Sequence, residues 1–220
     1  MWLFYLLFWT AVRANKPLYG KLGGEAVLTS DHVGSTITNI TWKHASDMAM
    51  EWHGTGKPLS HGKFKVRSVL DTRTGEMIIA GLTRDDSGIY TAEINGITSK
   101  TKLLVISPVP QPTISVSCKA DKTTCVFTCN ATVTGAEPVV YWWRADYRRW
   151  TSTSQQKITK EDKEEWFSCI VENPVSSHSS EKLFNPFIES SRTWIYILVG
   201  VILVVCVIFG YLAYRYKTQQ

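Results

Sequence analysis

Apolar residues run unbroken at both ends of the chain and alternate with polar ones in between. Trp2–Trp9 is a continuous apolar run, and Val12-Arg13-Ala14 follows with small residues at −3 and −1, the pattern of a signal peptide (1–14) cleaved after Ala14. The run is too short to span a bilayer. Trp194–Tyr214 holds 21 residues without a charge, or ~31 Å as a helix at ~1.5 Å per residue, against a hydrocarbon core of about 30 Å. A transmembrane α-helix is therefore expected over 194–214, after a stalk at 191–193. Trp194, Tyr196, Tyr211 and Tyr214 lie near its ends, where amphipathic rings favour the headgroup interface. Arg215 and Lys217 put the tail, 215–220, in the cytoplasm. The sequence thus predicts a single-pass type I plasma-membrane protein with its N-terminus outside the cell. Between these ends no stretch sustains helical spacing; short β-like runs separated by turn residues predict an all-β fold.

Ser107-Pro108-Val109-Pro110-Gln111-Pro112 divides the middle of the chain, because proline cannot donate to a sheet ladder and stiffens an extended connector. The linker is taken as 108–112. Before it, in 15–107, Gly23–Leu28, Ile40–Trp42 and Glu76–Ala80 read as strands. Asp86-Ser87-Gly88-Ile89-Tyr90 matches the corner where a buried tyrosine hydroxyl bonds back to upstream backbone, the mark of an immunoglobulin sandwich. Arg67 is the expected partner of Asp86. Asn95-Gly96 offers the two positive-φ residues of a tight hairpin. This half has no cysteine, and Ala92 stands two residues after Tyr90, where an antibody domain has one. It reads as a variable-type (V-type) domain without a disulfide, packed around Trp42, Tyr90, Val27, Leu103 and Val105.

After the linker, in 113–190, Cys129, then Val139–Trp143, then Trp166–Cys169 reproduce the Cys, Trp, Cys order of a C2-type immunoglobulin-like domain. Val139, Tyr141 and Trp143 share one face at period two, and Cys129 is expected to bridge Cys169. Cys118 and Cys125 are close enough to join two strands across Lys119–Thr124. Cys125 and Cys129 lie on one strand with parallel side chains and should not pair with each other. The fold class is two tandem β-sandwiches plus one transmembrane helix. An even number of cysteines outside the membrane suits an oxidising compartment, in which Asn39-Ile40-Thr41 and Asn130-Ala131-Thr132 are glycosylation sequons. Cys206 falls within the span and reads as a lipid-facing thiol.

Charge removes several function classes. The net charge is +5 from 24 basic and 19 acidic residues, but Arg13, Arg215 and Lys217 lie outside 15–193, so the remainder is close to neutral. Nucleic-acid binding needs basic groups concentrated on one face, and none is expected. Five histidines, His32, His44, His53, His61 and His178, are scattered. No zincin motif, nucleophile elbow or phosphate loop is present, so no enzymatic activity, cofactor or metal is predicted. His53 and His61 read as solvated loop residues, Tyr147-Arg148-Arg149-Trp150 as a solvated strand whose arginine stems cover apolar surface, and Lys160–Glu165 as an exposed charged loop.

Together these features resemble the signalling lymphocyte activation molecule (SLAM) family of leukocyte adhesion receptors. The resemblance rests on the V-type domain without its disulfide, the Val105–Pro112 join, the extra cysteines of the second domain, and strand-like matches at Met48–Trp52, Phe64-Lys65-Val66-Arg67 and Cys169–Asn173 leading to Val175-Ser176-Ser177. The family places a partner cysteine on its last strand, whereas Glu181–Phe184 has none, which makes Cys118–Cys125 the substitute bridge. Signalling members carry Thr-x-Tyr-x-x-Val/Ile in the tail. Neither Tyr214 nor Tyr216 has that context, so no cytoplasmic SH2 adaptor is expected, and the chain is most similar to short-tailed ligand-type members. The resemblance implies adhesion to an immunoglobulin-superfamily receptor on another cell, or homophilic binding, through the outer face of the distal sheet built from strands G, F, C and C′. Alternation places Thr41, Lys43, Thr91, Glu93, Lys100 and Lys102 on that face, joined by Glu51. The alternative is an inhibitory or decoy protein, pathogen-encoded in one version, that occupies the same receptors.

Overall fold

Two strips of alternating burial, each paired with a second sheet, organise the polypeptide. The computed structural model describes residues 16–30, 36–146, 148–188 and 192–217; the signal-peptide reading, His32, Tyr147 and the last tail residues lie outside them. In the N-terminal half, β1 (Leu18–Lys21), β2 (Glu25–Leu28), β3 (Ile40–His44), β4 (Asp47–Trp52), β5 (Leu59–Ser60), β6 (Ser68–Leu70), β7 (Met77–Ala80), β8 (Gly88–Ile94) and β9 (Ile97–Ile106) form two sheets. One has the order β1-β9-β8-β3-β4-β5 and the other β2-β7-β6. Their core holds Trp42, Tyr90, Ala92, Ile94, Leu103 and Val105, with Leu28, Met77 and Ile79 opposite. Asn95 and Gly96 have φ of 49° and 80° in the hairpin that pairs Ile94 with Ile97, as a type I′ turn requires.

Two features of this half differ from expectation. Val27 is 40% exposed, while Ala26 and Leu28 are buried. Val27 registers with Ile78, which registers with Val69, so the β-branched row lies outside the sandwich and the small Ala26 fills the slot beneath. Phe64–Arg67 is no strand: a 3-10 turn over Gly62–Phe64 continues through Lys65–Arg67, and only Phe64 is buried.

That turn serves a buried carboxylate. Asp86 is fully buried at the end of a 3-10 turn, Arg84–Asp86. Arg67 donates to both of its oxygens at 2.6 Å, Lys63 Nζ lies at 3.1 Å, and Thr83 donates its N–H at 2.8 Å and its hydroxyl at 3.0 Å. Burial alone would raise the Asp86 pKa; the donors from Arg67, Thr83 and Lys63 outweigh it and hold the carboxyl well below the usual range. Tyr90 donates its hydroxyl to Asp86 O at 2.9 Å.

The C-terminal half contains β10 (Thr113–Cys118), β11 (Thr124–Asn130), β12 (Val140–Ala145), β13 (Arg148–Ser152), β14 (Gln155–Thr159), β15 (Trp166–Asn173), β16 (Ser176–Ser179) and β17 (Leu183–Phe184). One sheet is β10-β11-β14; in the other β13-β12-β15-β16, β17 also pairs with β15. Phe127, Trp143, Phe167 and Val171 centre a separate core. Cys129 is bonded to Cys169 and Cys118 to Cys125, the latter pair being direct register partners of β10 and β11. On the outer side, Arg149 lies over the Trp142 ring at 4.2 Å and Lys182 over Trp166 at 4.1 Å. A final helix, α1, covers Arg192–Lys217, and its described side chains, 196–211, are exposed. Among the described residues no helix is long and apolar enough to cross a membrane.

The join between the halves is pinned. Arg84 donates to Ser107 Oγ at 2.7 Å, Ser107 N–H donates to Gly135 O at 2.8 Å, and the buried Asn173 amide donates to Ser107 O and Ala136 O. Val109 is buried in the second core, and its N–H reaches Ser176 Oγ at 2.8 Å. The prolines thus lead through an anchored elbow.

Three stability predictions follow from the buried carboxylate and the two bridges. Replacing Arg67 by Ala leaves Asp86 with Lys63 and Thr83 alone and should cost about 3 kcal/mol in denaturant unfolding. Because the folded pKa of Asp86 is depressed, its contribution is complete above the unfolded value of 3.8 and is lost as pH falls below it. Asp86→Asn should flatten that acid limb, and an unchanged limb would contradict the assignment. The bridges should differ too: loops of 40 and 7 residues give Cys129–Cys169 an advantage of about 1.5 kcal/mol from chain entropy. Comparing Cys→Ala pairs in urea melts checks this, and equal losses would show that loop size does not govern them.

Candidate interaction face

The outer surface of the six-stranded sheet follows directly from its core. Since Trp42, Tyr90, Ala92 and Leu103 point inward, their strand neighbours point out. Thr41 registers with Glu93, Lys43 with Thr91, Thr91 with Lys100, and Ile89 with Lys102. Thr41 also registers with Glu51 on β4. All seven residues expected on the face therefore share it. Glu93, Lys100 and Lys102 are exposed, and Thr41, Lys43, Glu51 and Thr91 half-buried.

The face also carries residues that alternation alone did not reveal. The β3–β4 register shifts between Trp42 and Lys43, so Met50 opposes Trp42 while Met48 opposes Lys43. Ala49 is the extra residue of a β-bulge, fully buried, and Met48 turns outward beside Lys43. On the other flank Tyr19 registers with Leu104. Gly20, next to Tyr19, faces inward, where an added Cβ would sit 2.6 Å from Leu82, so Tyr19 faces out. Ile89, 52% exposed, lies between these flanks. Apolar side chains thus lie at both flanks and at Ile89, and the row Lys43, Thr91 and Lys100 runs between them.

Glu51 is more constrained than a surface acid. Its two oxygens lie 2.9 Å from His61 Nε2 and 3.3 Å from His53 Nε2. The β4–β5 connection folds back, with His61 N–H donating to Ala49 O, and brings together two histidines that the sequence suggested were separate loop residues. Among the described residues, no group of three His, Cys, Asp or Glu side chains could hold a metal ion. At the β9 edge, Lys16, Lys100 and Lys102 line an open groove of 340 Å³ whose floor includes Leu18 and Val27.

Asn39 and Asn130, the sequon asparagines, are exposed. Asn39 precedes β3, and its N–H donates to Asn95 Oδ1 at 3.2 Å. Asn130 ends β11, and its amide donates to Ser115 Oγ at 3.0 Å.

Comparison with known proteins agrees with this architecture. No family model matches the chain. Human CD48 antigen is 24% identical, the match covering 75% of this chain and 72% of CD48. The CD2-binding domain of CD58 superposes with a TM-score of 0.60 at 21% identity, over 79% of this chain and 98% of that one. Murine CEACAM1b gives 0.58 at 18% identity, over 78% and 96%. The sheets are immunoglobulin-like.

Proposed function

We propose that this chain is a leukocyte cell-surface adhesion ligand or co-receptor, akin to the SLAM family, that binds an immunoglobulin-superfamily receptor on another cell through the outer face of the β1-β9-β8-β3-β4-β5 sheet. One observation carries the reading: Thr41, Lys43, Glu51, Thr91, Glu93, Lys100 and Lys102 share a single open sheet with outward apolar side chains interspersed among them. The likeness to CD48 and to the CD2-binding domain of CD58 supports it. Two disulfides suit an extracellular site, and the uncharged run Trp194–Tyr214 serves as the membrane anchor. The anchored elbow then ties the face to the C-terminal sandwich. Charge on such a face selects the partner and steers encounter more than it adds affinity.

The test exchanges charge without changing its sum. Lys43→Glu combined with Glu93→Lys should abolish adhesion of transfected cells to leukocytes at normal surface expression. Adhesion that survives the exchange, but is lost when the β2-β7-β6 sheet or the C-terminal half is altered, would place the binding surface elsewhere.

A further inference from the structure

The charges on this face are unevenly neutralised. Glu51 is occupied by His53 and His61, leaving Glu93 as the other carboxylate among the seven. Lys43, Lys100 and Lys102 have no carboxylate at salt-bridge distance among the described residues. Asp47, the first residue of β4, accepts the Ser46 hydroxyl at 3.4 Å. Lys43, Thr91 and Lys100 form one cross-strand row, which separates the two ammonium-bearing strands by about 10 Å at ~4.8 Å per strand spacing. Lys102 is the next outward residue after Lys100 on β9, ~7 Å along the strand. Those spacings are comparable with the Debye length of about 8 Å at physiological salt, so the three potentials overlap. Lys16 extends the same sign into the β9 groove.

From this arrangement we infer that the occupant of the face is an acidic surface of a different protein and not a second copy of this chain. The inference rests on the face proposed above and adds the sign and the identity class of its partner. A two-fold contact between copies sets the same patch against itself. Here that would bring Lys43, Lys100 and Lys102 of one copy toward the same lysines of the other, with Glu93 as the compensating acid free of histidine contacts. A partner presenting aspartates and glutamates interspersed with apolar side chains meets the lysines with opposite charge and covers Ile89, Met48 and Leu104 at the same time.

The experiment uses the full chain displayed on transfected cells, with two probes: leukocytes, and cells displaying the same chain. Lys43→Gln, Lys100→Gln and Lys102→Gln combined should lower leukocyte adhesion about tenfold, as expected for three exposed pairs of modest strength. Glu93→Gln should not weaken adhesion. Raising salt from about 50 to about 300 mM should weaken the wild type steeply and the triple variant little. Cells displaying the wild-type chain should not aggregate with one another. Adhesion unchanged in the triple variant but lost in Glu93→Gln would give the partner the opposite sign. Wild-type cells that aggregate with each other through these lysines would show homophilic binding. Either result overturns the inference even where the Lys43/Glu93 exchange abolishes adhesion, whereas adhesion that survives the exchange removes the face itself.

Discussion

The N-terminal half must hold two sheets together with no covalent bond between them. The C-terminal half shows what is missing: Trp143 registers with Cys169, which is bonded across the core to Cys129. In the N-terminal half Trp42 registers with Ala92, so a methyl group occupies the corresponding slot. Two polar ties span the gap instead. Trp42 Nε1 donates to Gly75 O at 2.9 Å, reaching from β3 to the β6–β7 turn. At the other end, Arg67 beside β6 grips Asp86 beside β8. Gly75 has φ of 79°, and an added Cβ would lie 2.4 Å from Ile94, so only glycine lets that turn approach the indole. Buried bonds to charged groups contribute more than neutral ones, and their partners are costly to strand. Asp86 correspondingly carries Lys63 and Thr83 as additional donors.

The same ties determine what the outer surface presents. Inward Trp42, Tyr90, Ala92 and Leu103 fix the phase of β3, β8 and β9, which turns the charged residues out as a set. The bulge at Ala49 then changes that phase on β4 and adds Met48 to the face. The short turn that carries Asp86 also carries Arg84, whose guanidinium reaches Ser107. One turn thus joins the sandwich core to the elbow, and through Asn173 to the C-terminal core. That linkage fixes the face to the C-terminal sandwich.

Much of this was legible in the residues, and the rest was hidden for identifiable reasons. Asp86–Tyr90 and Asn95-Gly96 encode local geometry, so their roles could be read without the fold. Trp42 and Trp143 could be assigned to the cores from strand phase and from the Cys, Trp, Cys order, whereas Trp142 and Trp166 lie outside the second core. Val27 misled because hydrophobicity ranks it above Ala26, whereas strand phase puts Ala26 and Leu28 inside and leaves Val27 in an outward row with Ile78 and Val69. Phe64–Arg67 alternates as a strand does, but Arg67 has to bend toward Asp86, and that requirement is tertiary. The bulge at Ala49 and the meeting of His53 and His61 at Glu51 likewise depend on cross-strand register and on a returning connection, which no local pattern records.

Placement of the binding face can be tested most directly with a glycan wedge, because each sheet holds a hydroxyl residue two positions after an exposed apolar side chain. Ile89→Asn completes a sequon with Thr91 on the six-stranded sheet, and Val66→Asn completes one with Ser68, the first residue of β6 in the opposite sheet; the native side chains are 52% and 97% exposed. Leukocyte adhesion should be measured for cells displaying each glycosylated chain at matched surface density. A glycan at position 89 is expected to block adhesion and one at position 66 to leave it intact; adhesion blocked from position 66 but not from 89 would contradict the assignment.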